Sequence, residues 1–239
     1  MIRKIGVAAL LGLLATGAFA SLAGAQCGTG PMIVLNTATF GYETPGAVTA
    51  PYVSPAGNSL TMVGLIQLFC TPFADLDASA PGTEYTIVVS GLTSLGSTHP
   101  ISNLWATSYS GGTFAIYQGS PRNAPTSAAG EPAEPGAGIP ASYTDGTVIL
   151  SGTLSGFNIN AQVSSGTGGY SANATFTGGT LLSRFGGANG PVIFQGALCA
   201  TSGCLPPAGG WSAQFDGKFD TPATPTEKST WGSIKILYR

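Results

Sequence analysis

Along most of the chain, apolar residues alternate with Ser, Thr, Asn and Gly instead of recurring at helical spacing. In Tyr170-Ser171-Ala172-Asn173-Ala174-Thr175-Phe176 the even positions are small or aromatic and the odd ones polar. In Trp231–Tyr238, Ile234, Ile236 and Tyr238 share one face, with Lys235 opposite. A period of two sends successive side chains to opposite sides of a strand, and one wet side means antiparallel sheet. The pattern predicts strands at Met32–Phe40, Ser59–Phe69, Glu84–Leu92, Leu104–Tyr109 and Thr113–Gln118. Further strands are predicted at Thr147–Phe157, Asn158–Val163, Tyr170–Phe176, Val192–Leu198, Trp211–Phe215 with a short continuation at Lys218–Phe219, and Trp231–Tyr238. Ile87-Val88-Val89 reads as buried on both faces, and Asp216-Gly217 has the composition of a type I′ hairpin turn. No window combines a helical period with caps.

About 10–12 short strands punctuated by turn residues predict an antiparallel β-sandwich or a jelly roll. An outer-membrane β-barrel is the rival, since low charge, abundant glycine and alternation suit it as well. The cysteines and the terminal Arg239 weigh against that rival. Gly119–Gly146 breaks the alternation with five prolines between Pro121 and Pro140. It cannot pair inside a sheet, and it reads as a long Pro/Gly-rich loop within one domain, since each half alone would be a marginal β unit.

The beginning of the chain has a different character. Arg3 and Lys4 precede an apolar run from Ile5 to Phe19, and small residues follow up to Ala25. That order is expected of a secretory signal peptide cleaved after Ala25, leaving residues 26–239 as a single all-β domain. Cleavage leaves six basic residues against ten acidic ones. No later apolar run is long enough to span a bilayer as a helix. Four cysteines remain, and an even number in an exported chain favours disulfides. Of three possible pairings, Cys199–Cys204 around a short Ala-Thr-Ser-Gly loop and Cys27–Cys70 are preferred. A zinc site lacks CxxC spacing and histidine partners.

Composition then narrows the chemistry. Only 8% of residues are charged and 43% are hydrophobic, which excludes a disordered chain and a coiled coil. The formal charge of −2 gives no basic footprint for nucleic acid. The single histidine, His99, lies before Pro100, and no Gly-x-Ser-x-Gly elbow or phosphate-binding glycine loop accompanies it. Of the acids, Glu43 and Glu84 are the pair placed on strands or their edges, where a secreted glycoside hydrolase would need them. Asp75-Leu76-Asp77-Ala78-Ser79, with Glu84 beyond, resembles the start of a calcium loop, but Ala80 replaces the turn glycine and Thr86 the closing glutamate. Asp75, Asp77 and Glu84 are the candidate ligands of a structural calcium, against the plainer reading of a solvated turn. Trp105, Tyr109 and Tyr117 are candidate sugar-stacking rings. Trp105 and Tyr109 share one strand face, which is either a ligand face or, as the commoner fate of large rings, core.

Gly112-Thr113-Phe114-Ala115-Ile116-Tyr117, the polar loop, and Tyr143–Thr153, with Phe176-Thr177-Gly178-Gly179 similar in style, resemble exported bacterial β-domains of unknown function that often carry a PEP-CTERM sorting tail. The Pro-Glu-Pro tail is missing here, so the resemblance implies no anchoring by that route, and it brings no catalytic residues. The expected protein is therefore an exported, disulfide-stapled, extracytoplasmic binding or structural domain: secreted, periplasmic or on the cell surface. It would need no cofactor other than the candidate calcium and would have no enzymatic role. Its expected partner is an envelope or extracellular glycan, a protein, or a second copy. An outer-membrane β-barrel and a secreted glycoside hydrolase are the alternatives.

Overall fold

The computed structural model describes Cys27, residues 30–45, 52–125, 139–185, 192–201, Cys204 and residues 212–221. The expected leader, Trp211 and the strand at Trp231–Tyr238 lie outside them. Among the described residues eight strands run in chain order: β1 Pro31–Thr44, β2 Ser59–Phe69, β3 Glu84–Ile101, β4 Leu104–Gly119, β5 Thr147–Gln162, β6 Thr167–Gly178, β7 Val192–Cys199 and β8 Ala213–Asp220. Each pairs antiparallel with the next, and β8 pairs with β1, so the sheet closes into a barrel.

The antiparallel all-β expectation holds, but the sandwich or jelly roll of about 10–12 strands is replaced by a barrel of eight strands. The expected breaks are places where strands continue. Gly91 and Gly156, at φ of +73° and +64°, sit at register shifts on β3 and β5. There a left-handed glycine absorbs an extra residue as a bulge, and the strand bends without ending. The two segments predicted around Ser110-Gly111-Gly112 are one strand, β4, as are the two predicted around Phe157-Asn158, in β5. Asp216-Gly217 is no turn either. Asp216 Oδ1 accepts the Ala197 N–H at 2.8 Å, and Gly217 pairs with Leu35. A side chain at Gly217 would collide with the Tyr170 hydroxyl, so the glycine gives room to a ring.

An eight-stranded barrel is just wide enough for side chains to fill. Here they are aromatic and aliphatic: Leu60, Met62, Ile87, Phe114, Ile116, Leu154, Phe157, Tyr170, Phe176, Phe194, Phe215 and Phe219 are all buried in one cluster. Rings touch in an unbroken series from Phe73 through Phe185, Phe176, Phe219, Phe194, Tyr170 and Phe157 to Tyr109, with centroids 4.6–5.7 Å apart. Each fully buried ring contributes about 1.5–3 kcal/mol, and each well-placed ring pair about 0.5–1.5 more.

The outward positions are of another kind. On β5 they are Thr153, Ser155, Asn158, Asn160 and Gln162, and on β6 Ser171, Asn173, Thr175 and Thr177. Around β1–β3 the outward residues Phe40, Tyr42, Val63, Leu65 and Val88 are apolar, and they are covered. Ala124 and Tyr143, from the described ends of the Gly119–Gly146 segment, pack onto them. The strands on either side of that segment, β4 and β5, pair with each other. Glu84 accepts the Asn123 and Ala124 N–H groups at 3.1 Å each, and Thr86 Oγ1 donates to the Tyr143 carbonyl at 2.8 Å. Arg122 donates to the carbonyls of Thr83 and Ala78, both at 2.6 Å.

Both expected disulfides are formed. Cys27–Cys70 ties the segment before β1 to the end of β2, and Cys199–Cys204 closes the loop after β7.

The Tyr170 hydroxyl is buried with no hydrogen-bond partner. Tyr170→Phe should leave stability unchanged or raise it by up to about 1 kcal/mol, because an unmet polar group is removed. Gly217→Ala should cost about 1–3 kcal/mol by overpacking. Combined with Tyr170→Phe it should cost less, since one of the colliding atoms is gone. Urea unfolding of the four proteins measures this coupling.

Candidate functional site

The structure separates the three candidate rings. At Ser110-Gly111-Gly112 the inward parity of β4 changes from odd to even positions. Tyr109 therefore faces the core, whereas Phe114 and Ile116 do so further on, and Tyr117 is left outside. Trp105 lies near the start of β4, half-buried and stacked on His99 with centroids 4.6 Å apart.

The acidic candidates are separated too. The Asp75 carboxylate pairs with the Arg184 guanidinium, whose hydrogen bond holds it below the usual carboxylate range. Asp77 accepts the Ser79 hydroxyl at 2.6 Å and its N–H at 2.8 Å, and these bonds lower its pKa. Glu84 is buried against the loop backbone. Among the described residues no three His, Cys, Asp or Glu side chains gather as a metal site.

Glu43 and Glu84 stand at opposite ends of the barrel. Glu43 is level with Leu60, and Leu60 with Leu92. Glu84 lies eight residues back along β3, about 25 Å of strand, far beyond the separation of about 5–9.5 Å that glycoside hydrolysis uses. Each carboxylate is also occupied. Glu43 Oε1 accepts the hydroxyls of Tyr109 at 2.5 Å and Tyr52 at 3.3 Å. Its Oε2 accepts Ser54 Oγ at 2.6 Å and Asn58 Nδ2 at 2.9 Å. Four neutral donors satisfy one buried carboxylate, with no position left for a substrate. The arrangement is a clasp that holds residues 52–58, which lead into β2, over the barrel end. Tyr52 is held there at φ +148°, a conformation costing about 1–3 kcal/mol in a non-glycine residue. Sequence pattern could not find this clasp, because Tyr52, Ser54 and Asn58 lie in a turn with no periodicity.

A groove of about 410 Å³ lies on the outer wall over β3, β4 and β5. Register builds it. Ser90 pairs with Thr113, Thr113 with Thr153, and Thr153 with Thr175, giving one rung of hydroxyls across four strands. The next rung is low: Val88, Ala115 and Ser151. Beyond it rises Tyr117, half-buried. Small side chains between a tall ring and a hydroxyl row make a trough, and Ile139 and Thr144 of the loop wall it. Tyr117 is thus the ligand-face candidate that the structure leaves on a concave surface. Ser90, Thr113, Ser151 and Thr153 had no sequence signal, because strand pairing alone brings them together.

Burial raises the pKa of Tyr52 and Tyr109 well above the ordinary value near 10, and the Glu43 charge adds to it. Burial also raises those of Tyr143 and Tyr170. The folded state then keeps phenolic protons that the unfolded state loses, so stability should fall as pH rises above about 10. The check is the urea midpoint against pH, with phenolate absorbance showing these rings ionising only on unfolding. Tyr52→Phe should flatten the slope. Glu43→Gln should cost about 1–3 kcal/mol, because an amide N–H₂ would face hydroxyl and amide donors. The chain matches no family model, no curated protein and no solved structure.

Proposed function

We propose that the protein is an exported, extracytoplasmic barrel that faces water and acts by binding, with no catalytic role. The observation that carries this reading is the division of residues across the wall. Rings and aliphatic side chains fill the inside, and Ser, Thr and Asn cover the outside of β5 and β6. A bilayer-spanning barrel needs the reverse, an apolar belt outward and polar groups within. Two formed disulfides suit an oxidising compartment outside the cytoplasm, where the expected leader would send the chain. The groove offers a surface for recognition, while the best-placed acids are occupied by structural bonds.

The second reading is an outer-membrane barrel. Closed antiparallel pairing of eight strands, an even number, favours it directly. The two readings part on what the wall meets, lipid or water.

The outer wall of the central strands carries almost no charge, so its contacts should resist salt. The purified chain, in buffer without detergent, should co-sediment with washed envelope or matrix material of its host. Raising salt from about 0.05 M to about 0.5 M, which shortens the screening length severalfold, should release little of it. Release by salt would indicate charge-driven adsorption. A chain that pellets on its own without detergent and enters vesicles would favour the membrane reading.

A further inference from the structure

Resting on the binding reading, we infer that the outer-wall groove is a site for an uncharged polysaccharide, laid across the strands between Tyr117 and the hydroxyl rung of Ser90, Thr113 and Thr153. Three observations converge on this class of ligand.

The first is charge. From Tyr85 to Pro121 and from Gly146 to Ser183 there is no Asp, Glu, Lys or Arg. These stretches supply all of β3 but Glu84 and all of β4, β5 and β6, and the groove lining includes no charged side chain. Asp145, beside Thr144, turns its carboxylate to Asn123 Nδ2 at 2.7 Å. A polyanion or a basic peptide finds no counter-charge here, and a ligand rich in neutral hydroxyls gives up no ionic hydration on entering.

The second is register. Ser90, Thr113, Thr153 and Thr175 are paired positions on four successive strands. Neighbouring strands lie about 4.8 Å apart, so the rung spans about 14 Å. Ser90 and Thr113 hydroxyls share a hydrogen bond at 3.5 Å. The strand spacing is close to the advance per sugar in an extended hexose chain, and each hydroxyl can both donate and accept. Thr113, Thr153 and Thr175 are exposed.

The third is shape. Ala115 and Ser151 form a low floor, Tyr117 offers a ring along one side, and Ile139 and Thr144 close the trough. Sugar rings carry apolar C–H faces that settle on an aromatic face while their hydroxyls reach a polar row. The trough supplies both together.

The test is affinity electrophoresis in gels holding soluble neutral hydroxyethylcellulose or, separately, the polyuronate alginate. The wild-type chain should be slowed by the neutral polymer and not by alginate. Tyr117→Ala should weaken retention about tenfold, equivalent to about 1.4 kcal/mol. Tyr117 also packs on the cluster under the loop, so Thr113→Val with Thr153→Val provides a second arm that keeps the strand shape. This double variant should lose about fivefold or more, whereas Asn160→Ala, on β5 outside the groove, should behave as wild type. Equal retention by alginate, no retention by the neutral polymer, or full retention by both groove variants would overturn the inference. If those variants still co-sediment with envelope material, the binding reading survives without the groove. If wild type fails in both assays, both readings fall.

Discussion

A continuous series of aromatic rings fills the barrel, and the rest of the molecule is arranged around it. Rings from Phe73 to Tyr109 touch from one end of the interior to the other. Strands that line so full an interior must offer space in places. Gly41 lies where a side chain would meet the Phe215 ring, and Gly217 where one would meet Tyr170. The ends of the series must also be shielded from water. Phe73 and Phe185, beside the Asp75–Arg184 pair, cover one end. Tyr52, clasped to Glu43, covers the other. The Glu43 carboxylate is thus the polar terminus of an apolar column, and Tyr109 belongs to both.

An apolar interior leaves the outer wall to meet the surroundings. Where outward residues are apolar, around Phe40, Val63 and Val88, Ala124 and Tyr143 pack over them. Where they are hydroxyl- and amide-bearing, the wall is open. The groove lies at the meeting of these two regions, with Tyr117 packed against the covered cluster and Thr113 on the open face. Side chains on a rigid, packed sheet keep their spacing, as a site for a repeating ligand would require.

Much of the fold is legible in the sequence. Alternation places β2 and β7 almost to the residue, and tyrosine, phenylalanine and alanine at even positions of β6 correctly mark the inward side. The short loop between Cys199 and Cys204 makes their pairing the preferred one of three, and with Cys27–Cys70 it is the pairing formed. Strand number and closure are not legible there, for physical reasons. Gly91, Gly111-Gly112 and Gly156 look like turns, yet inside a curved sheet they are bulges and bends. Asp216-Gly217 has the chemistry of a hairpin and the job of making room. Pairing of β1 with β8 joins residues nearly two hundred positions apart, which no local pattern encodes. The candidate site was legible only through Tyr117. Its hydroxyl rung exists only once four strands are in register.

The central claim is a barrel with an apolar inside and a wetted outside. The most direct measurement is near-ultraviolet circular dichroism of the oxidised chain in buffer free of detergent and lipid, followed through urea unfolding. Packed rings predict strong aromatic bands that vanish in one cooperative transition. Bands that appear only after micelles or vesicles are added would contradict the account and give the wall to the membrane.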